Sequence, residues 1–313
     1  MTADMLWGFP VIGYLFLAGA GAGAATVSAS VLLRGGGFGQ SRFTIARFGA
    51  LIAPLPTILG TLMIVFELGA PLRALNLFKV VNRSPMSIGS WVLVLFIVVS
   101  LAYAAAFLVK RPEWEERLAR LRIALAWAIV PLGLSVCLYT GILLGAMPSR
   151  PFWNTPLIPI LFTLSALSAG IACLMIANTL YLKENAERSH ADVNDSEYLL
   201  ATSDAILLGG KLFVVPLLVL FAWLAPTNTK YALATIMPGG SMAWMFWGVA
   251  VIFSMVLPFV AQLAMIMPRL LHGREYHPVR WMELSMATGV LIGGLALRYA
   301  VVVTGQASGP VGL

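Results

Sequence analysis

Long apolar stretches alternate with short polar ones along the whole chain. Eight blocks of about 20 residues or more stand out, at about 9–33, 48–66, 88–109, 122–147, 156–181, 204–225, 243–268 and 283–303. A helix of about 20 residues, rising ~1.5 Å per residue, crosses a hydrocarbon core of ~30 Å. Runs such as Trp91 to Tyr103 and Val249 to Gln262 lack the alternation a β-barrel needs. In lipid a helix satisfies its own backbone N–H and C=O groups. The pattern therefore predicts an all-α integral membrane protein with eight transmembrane helices. The first block lacks a basic leader and a small-residue cleavage pattern, so it reads as a retained helix.

Composition agrees. Hydrophobic residues make up 60% of the 313 positions and charged residues 11%, against roughly 25% charged in soluble domains. No polar segment is long enough for a separate catalytic domain, so residues 1–313 read as one membrane domain. The longest hydrophilic stretch, Lys183 to Ser203, carries Glu184, Glu187, Asp192, Asp195 and Glu197 and is expected to be a solvated connector. An even helix number with this connector near the centre suggests two four-helix bundles. Helices 1–4 span about 9–147 and helices 5–8 about 156–303.

The net charge of +7 first suggests a nucleic-acid partner. Its distribution argues against one. Loops after helices 1, 3, 5 and 7 hold Arg34, Arg42, Arg47, Lys110, Arg111, Arg117, Arg120, Arg122, Lys183, Arg188, Arg269, Arg274 and Arg280. The other loops hold only Arg73, Lys79, Arg83, Arg150 and Lys230. This is the positive-inside bias, and it places both termini on the outer side of a cytoplasmic membrane.

Local features refine the helices. Helix 1 carries a run from Gly19 to Ala25 made only of Gly and Ala. Such residues let backbones approach closely, or leave room at Gly19 for a flat ligand. Pro54, Pro56, Pro131, Pro159, Pro216 and Pro258 permit kinks. Between helices 2 and 3, Arg73, Asn76 and Lys79 recur every three residues beside Leu72, Leu75 and Phe78. That predicts a short amphipathic helix in the outer interface, with Ser87 capping helix 3.

Ionisable residues within a bilayer are costly and mark function by default. Few occur here. Tyr14, Glu67 and Tyr139 fall at one depth near the outer face. Hydroxyl donors and a carboxylate at one depth suit a quinone head group and its protons. Asp204 and Lys211 lie seven residues apart, near one face of helix 6. They suggest a proton path toward the cytoplasm or a structural ion pair. His190, His272 and His277 all fall in loops, so no helix offers a haem ligand. Cys137 and Cys173 form no disulfide framework, iron–sulfur motif or metal site.

Three segments resemble the NrfD/PsrC family of haem-free, quinone-reactive membrane subunits. One runs from Tyr14 to Ala24. The second is Phe66-Glu67-Leu68-Gly69-Ala70-Pro71-Leu72-Arg73, continuing through Asn82 to Trp91. The third is Tyr139 to Gly141, followed by Arg150-Pro151-Phe152-Trp153-Asn154. The resemblance implies a quinone, menaquinone or ubiquinone, bound near the outer face. Glu67 would then handle protons and Tyr139 would donate to the quinone. Tyr14, Gly19, Gly69 and Asn154 would border it. Tyr14 stands where some relatives have histidine. The implied partners are a ferredoxin-like subunit with four [4Fe-4S] clusters and a molybdenum or tungsten catalytic subunit on the outer face. This chain would hold neither haem nor cluster. A secondary transporter and a passive anchor are the competing readings.

Overall fold

The computed structural model describes residues 7–34, 40–67, 84–109, 111–182, 190–273, 276 and 279–309; the side chains at 40–42, 67, 181, 182 and 190–196 lie outside this description. The described residues form helices and turns, with no strand among them. The helices are α1 (Phe9–Arg34), α2 (Gln40–Ile52), α3 (Pro54–Glu67), α4 (Pro85–Leu108), α5 (Glu115–Gly145), α6 (Leu157–Leu182), α7 (His190–Leu224), α8 (Thr227–Ile236), α9 (Leu257–His272) and α10 (Arg280–Gln306). A π-helical segment, Trp244–Val256, runs into α9. Eight spans are long and apolar enough to cross a membrane, as the hydropathy blocks predict. The interfacial helix expected between helices 2 and 3 lies outside the described residues.

Proline effects differ by position. Pro54 breaks the second span into α2 and α3, because it has no N–H for a helical bond. Pro131 and Pro216 sit inside uninterrupted α5 and α7. Before Pro258 the helix widens into the π-form. A proline ring crowds the carbonyl four residues earlier, here Ser254, and a wider turn relieves that contact.

Three expectations need correction. The cap of α4 is Ser84, whose side chain accepts from the Ser87 N–H at 3.2 Å, rather than Ser87 itself. Pro85 pre-sets the first helical turn, which moves the cap one turn earlier. The supposed connector is helical from His190 onward, and Glu197 within it is buried. No Gly or Pro interrupts residues 190 to 208, so the helix extends past the apolar block. His190 thus opens α7, and His272 closes α9, so both stand at helix ends rather than in loops.

The first, fifth and eighth spans form the interior: 72%, 61% and 67% of their apolar windows are buried, against 33–39% elsewhere. The remaining spans turn Leu, Ile, Phe and Trp side chains outward, among them Ile206, Phe213, Leu220 and Trp223. That is the inverse of a soluble surface and suits a lipid solvent. Helix α1 packs against α3, α5 and α6 alike. Its glycines explain how. A Cβ on Gly23 would collide with the Ala166 carbonyl of α6, and one on Gly170 with the backbone at Gly23 and Ala24. Backbone touches backbone there, as small-residue packing in membranes requires.

Gly23→Leu should therefore separate α1 from α6. The expected loss is at least the ~1–3 kcal/mol of core overpacking, read as a lower melting temperature in detergent. A melting curve like that of the wild type would refute the close approach.

Candidate functional site

Both described ends of the polypeptide lie at one end of the helical bundle, with Phe9 opening α1 and Gln306 closing α10. This terminal end also holds the C-terminus of α3, the start of α4 and the end of α5. A loop from Met147 to Thr155 is locked against it. The Arg150 guanidinium donates to the Gln306 carbonyl. Trp153 donates from Nε1 to the Val301 carbonyl at 3.0 Å and stacks on Trp7 with centroids 5.2 Å apart. Gln306 donates to the Trp7 carbonyl at 3.2 Å. Trp153 thus makes a buried anchoring contact, while Asn154 beside it, expected to border the quinone, is exposed.

Two of the expected site residues converge at this end. Tyr14 is buried in α1, and its phenol lies within electrostatic reach of Tyr139 on α5. The half-buried Tyr139 ring lies directly over Gly89, one turn into α4. Any Cβ at Gly89 would overlap that ring. The glycine therefore sets where the Tyr139 hydroxyl sits. Glu67 ends α3 at the same end of the bundle. Its side chain and Gly69 lie outside the described residues. Gly19 lies deeper on α1, against Ala166 and the Arg298 guanidinium, and its carbonyl accepts from the Cys137 thiol at 3.8 Å.

The remaining ionisable groups form a buried polar column. Lys211 donates from Nζ to the Ser168 hydroxyl at 3.0 Å, and Ser168 donates to Asp204 Oδ1 at 2.5 Å. Gln262 on α9 donates to Asp204 Oδ2 at 2.8 Å. Asp204 and Lys211 thus meet through a hydroxyl from α6 rather than in a direct ion pair. Arg298 donates to the carbonyls of Leu15 and Gly294 and to Ser165 Oγ, each at 3.0 Å. Its first acceptor, Leu15, follows Tyr14 in the chain.

Sequence reasoning missed Ser165, Ser168 and Gln262. Only Gln262 left a signal, as a lone amide in an apolar run. A cleft of about 500 Å³ opens elsewhere, toward the opposite end, between Thr26, Arg34, Val130, Ile171 and Ser203. None of the expected site residues lines it. Among the described residues no three His, Cys, Asp or Glu side chains converge to hold a metal.

These features define a multi-pass helical membrane protein with charge buried along its axis. The chain belongs to the polysulphide reductase NrfD family, whose profile matches residues 1–309. It is 29% identical to a polysulfide reductase chain from Wolinella succinogenes, over 96% of this chain and 95% of that one. It is also 29% identical to protein NrfD of Escherichia coli, over 97% and 96%. A selenate reductase subunit from Mesobacillus selenatarsenatis matches at 23% over 58% of this chain and 50% of its own length.

Lys211→Met should cost about 3–5 kcal/mol, since it strands Asp204 as a buried unpaired charge. The double variant Asp204→Asn/Lys211→Met should recover most of that loss. Unfolding midpoints of the wild type, both single variants and the double variant measure the coupling; additive effects would show that Ser168 bridges nothing of consequence.

Proposed function

We propose that this chain is the quinone-reactive membrane subunit of a respiratory oxidoreductase complex. The observation that carries the reading is the full-length match to a family whose relatives bear the names of reductase subunits. A quinone, menaquinone or ubiquinone, would supply two-electron, two-proton chemistry at the terminal end. The residues there fit its head group: a quinone has two carbonyl oxygens that need donors, and Tyr14 and Tyr139 are two phenols within electrostatic reach of each other. Tyr139 would donate the orienting hydrogen bond. Glu67, at the same end, would exchange protons with the head group. Gly69 and Asn154 would border the site, and Gly19 would leave space beside helix 1.

Electrons would pass to or from a ferredoxin-like partner with four [4Fe-4S] clusters, with a molybdenum or tungsten catalytic subunit behind it. Both would dock on the outer face of a bacterial cytoplasmic membrane, where the termini lie. The positive-inside pattern supports that orientation, because Arg34, Arg269 and Arg280 all sit at the opposite end. Asp204 and Lys211 would carry protons along the bundle. The same buried pair, with the prolines inside the helices, favours a transporter, and solute uptake by the chain without partners would support that alternative.

Glu67→Gln should abolish quinone turnover while the complex still assembles. Normal turnover in that variant rejects the site. Tyr139→Phe should weaken quinone binding about tenfold, the loss of one hydrogen bond of ~1.4 kcal/mol. Gly89→Ala should act in the same direction by displacing the Tyr139 ring; titration of the assembled complex with a quinone measures both.

A further inference from the structure

The cleft of about 500 Å³ is lined by none of the residues assigned to the terminal end. Its construction follows from which helices touch. Helix α6 packs against α5 and α7, and α1 packs against α5 and α6, whereas α5 and α7 make no extended contact with each other. The gap between α5 and α7 is therefore a groove, with α1 and α6 as its floor. Leu134 of α5 and Ile206 of α7 line it and are 39% and 70% exposed. The groove thus opens sideways, toward lipid.

Its length selects an occupant. On α1 the lining runs from Thr26 to Arg34, roughly 12 Å at ~1.5 Å per residue. One leaflet is about half of a ~30 Å hydrocarbon core. The groove spans most of a single leaflet, at the end opposite the termini, and does not cross the bilayer. A hydrocarbon chain lying along the helices fits that form.

The polar groups favour an anionic head group at its mouth. Arg34 closes α1 and is exposed. Among the described residues no carboxylate pairs with it; the ion pair there joins Arg122 to Glu115. Ser30 lies one turn deeper on α1, and Ser203 lines the groove from α7. Other hydroxyls in these helices return to a carbonyl of their own chain, as Thr26 does to Ala22 at 2.8 Å and Thr163 to Pro159 at 2.7 Å. Ser30 and Ser203 make no hydrogen bond among the described residues. A hydroxyl in hydrocarbon is unfavourable without a partner, so both are donors for a ligand oxygen.

Acidic groups at this end turn elsewhere. Glu283 accepts from the Tyr276 hydroxyl at 3.2 Å, and Glu197 accepts from Asn178 at 3.5 Å. Arg280 acts on Glu197 electrostatically, and Arg269 lies 4.3 Å above the Tyr198 ring that meets Tyr276. Among the described residues no carboxylate lines the groove to repel an anion.

We propose that this groove binds one anionic phospholipid of the leaflet opposite the termini. Its phosphate sits on Arg34, its ester oxygens accept from Ser30 and Ser203, and one acyl chain fills the space between α5 and α7. The lipid supplies the packing that those two helices do not give each other. The inference is independent of the quinone reading.

The test uses the full chain purified in detergent, stripped of lipid and titrated with dioleoylphosphatidylglycerol, dioleoylphosphatidylcholine or inorganic phosphate. Native mass spectrometry reads bound lipid, and melting curves are taken in parallel. The wild type should bind phosphatidylglycerol at least about fivefold more tightly than phosphatidylcholine, since one cation near an anionic lipid contributes about 1 kcal/mol. It should also melt higher with phosphatidylglycerol bound. Arg34→Gln should erase the preference and leave phosphatidylcholine binding unchanged. Ser203→Leu, which fills part of the groove, should weaken both lipids and keep their ratio. Equal binding of the two lipids by the wild type overturns the proposal, whatever the variants do, because the lipid would then be annular. An undiminished preference in Arg34→Gln overturns it as well. Inorganic phosphate raising the melting temperature as much as phosphatidylglycerol would show a free-anion site and reject the lipid.

Discussion

A guanidinium inside hydrocarbon needs oxygen acceptors on every side, and Arg298 obtains them by drawing three helices together. Its acceptors are the Leu15 carbonyl of α1, the Phe162 carbonyl and Ser165 hydroxyl of α6, and the Gly294 carbonyl of its own α10. The Phe16 and Phe162 rings flank it at 5.5 and 5.2 Å. Each of these acceptors is an uncharged oxygen, which disperses the positive charge without a carboxylate. The arrangement constrains the neighbours. A Cβ on Gly19 would stand 3.1 Å from the Arg298 Nη2 atom, so glycine leaves the guanidinium its room. The contact between Gly23 and Gly170 one turn further along brings α1 and α6 close enough for one side chain to reach both.

The same packing makes a second set of charges tolerable. An isolated Asp or Lys at this depth would be strongly unfavourable. Asp204 has hydrogen bonds from Ser168 and Gln262, and Lys211 reaches the same serine. A hydroxyl between two charges does more than a direct ion pair could. It separates them enough to weaken their mutual trapping, and it can accept one proton while giving up another.

The two ends of the bundle are built differently. At the terminal end, aromatic stacking and main-chain acceptors lock the loop that carries Arg150 and Trp153. At the opposite end, two carboxylates, a phenol and an amide share a buried cluster fringed by Arg269 and Arg280. A redox head group benefits from fixed donors, because their reorganisation is paid before the reaction.

The eight spans, the orientation bias and the break at Pro54 were legible in the sequence, because hydropathy, charge placement and a missing N–H act locally. The shared depth of Tyr14 and Tyr139 followed from counting residues along their helices. Glu197 was misread as part of a solvated connector. Hydropathy averages a window, and one acid among polar neighbours looks solvated until Asn178 and Glu283 are seen to enclose it. Ser168 was invisible for a related reason, and Gln262 showed only as a lone amide: each gains its role only where α6, α7 and α9 cross. By itself the sequence determined which segments enter the membrane and which few ionisable groups go with them, since the cost of transfer into lipid is a property of each segment. Only the tertiary structure decided which of those groups touch, because hydrogen bonds reach about 3 Å and depend on how helices distant in the chain pack.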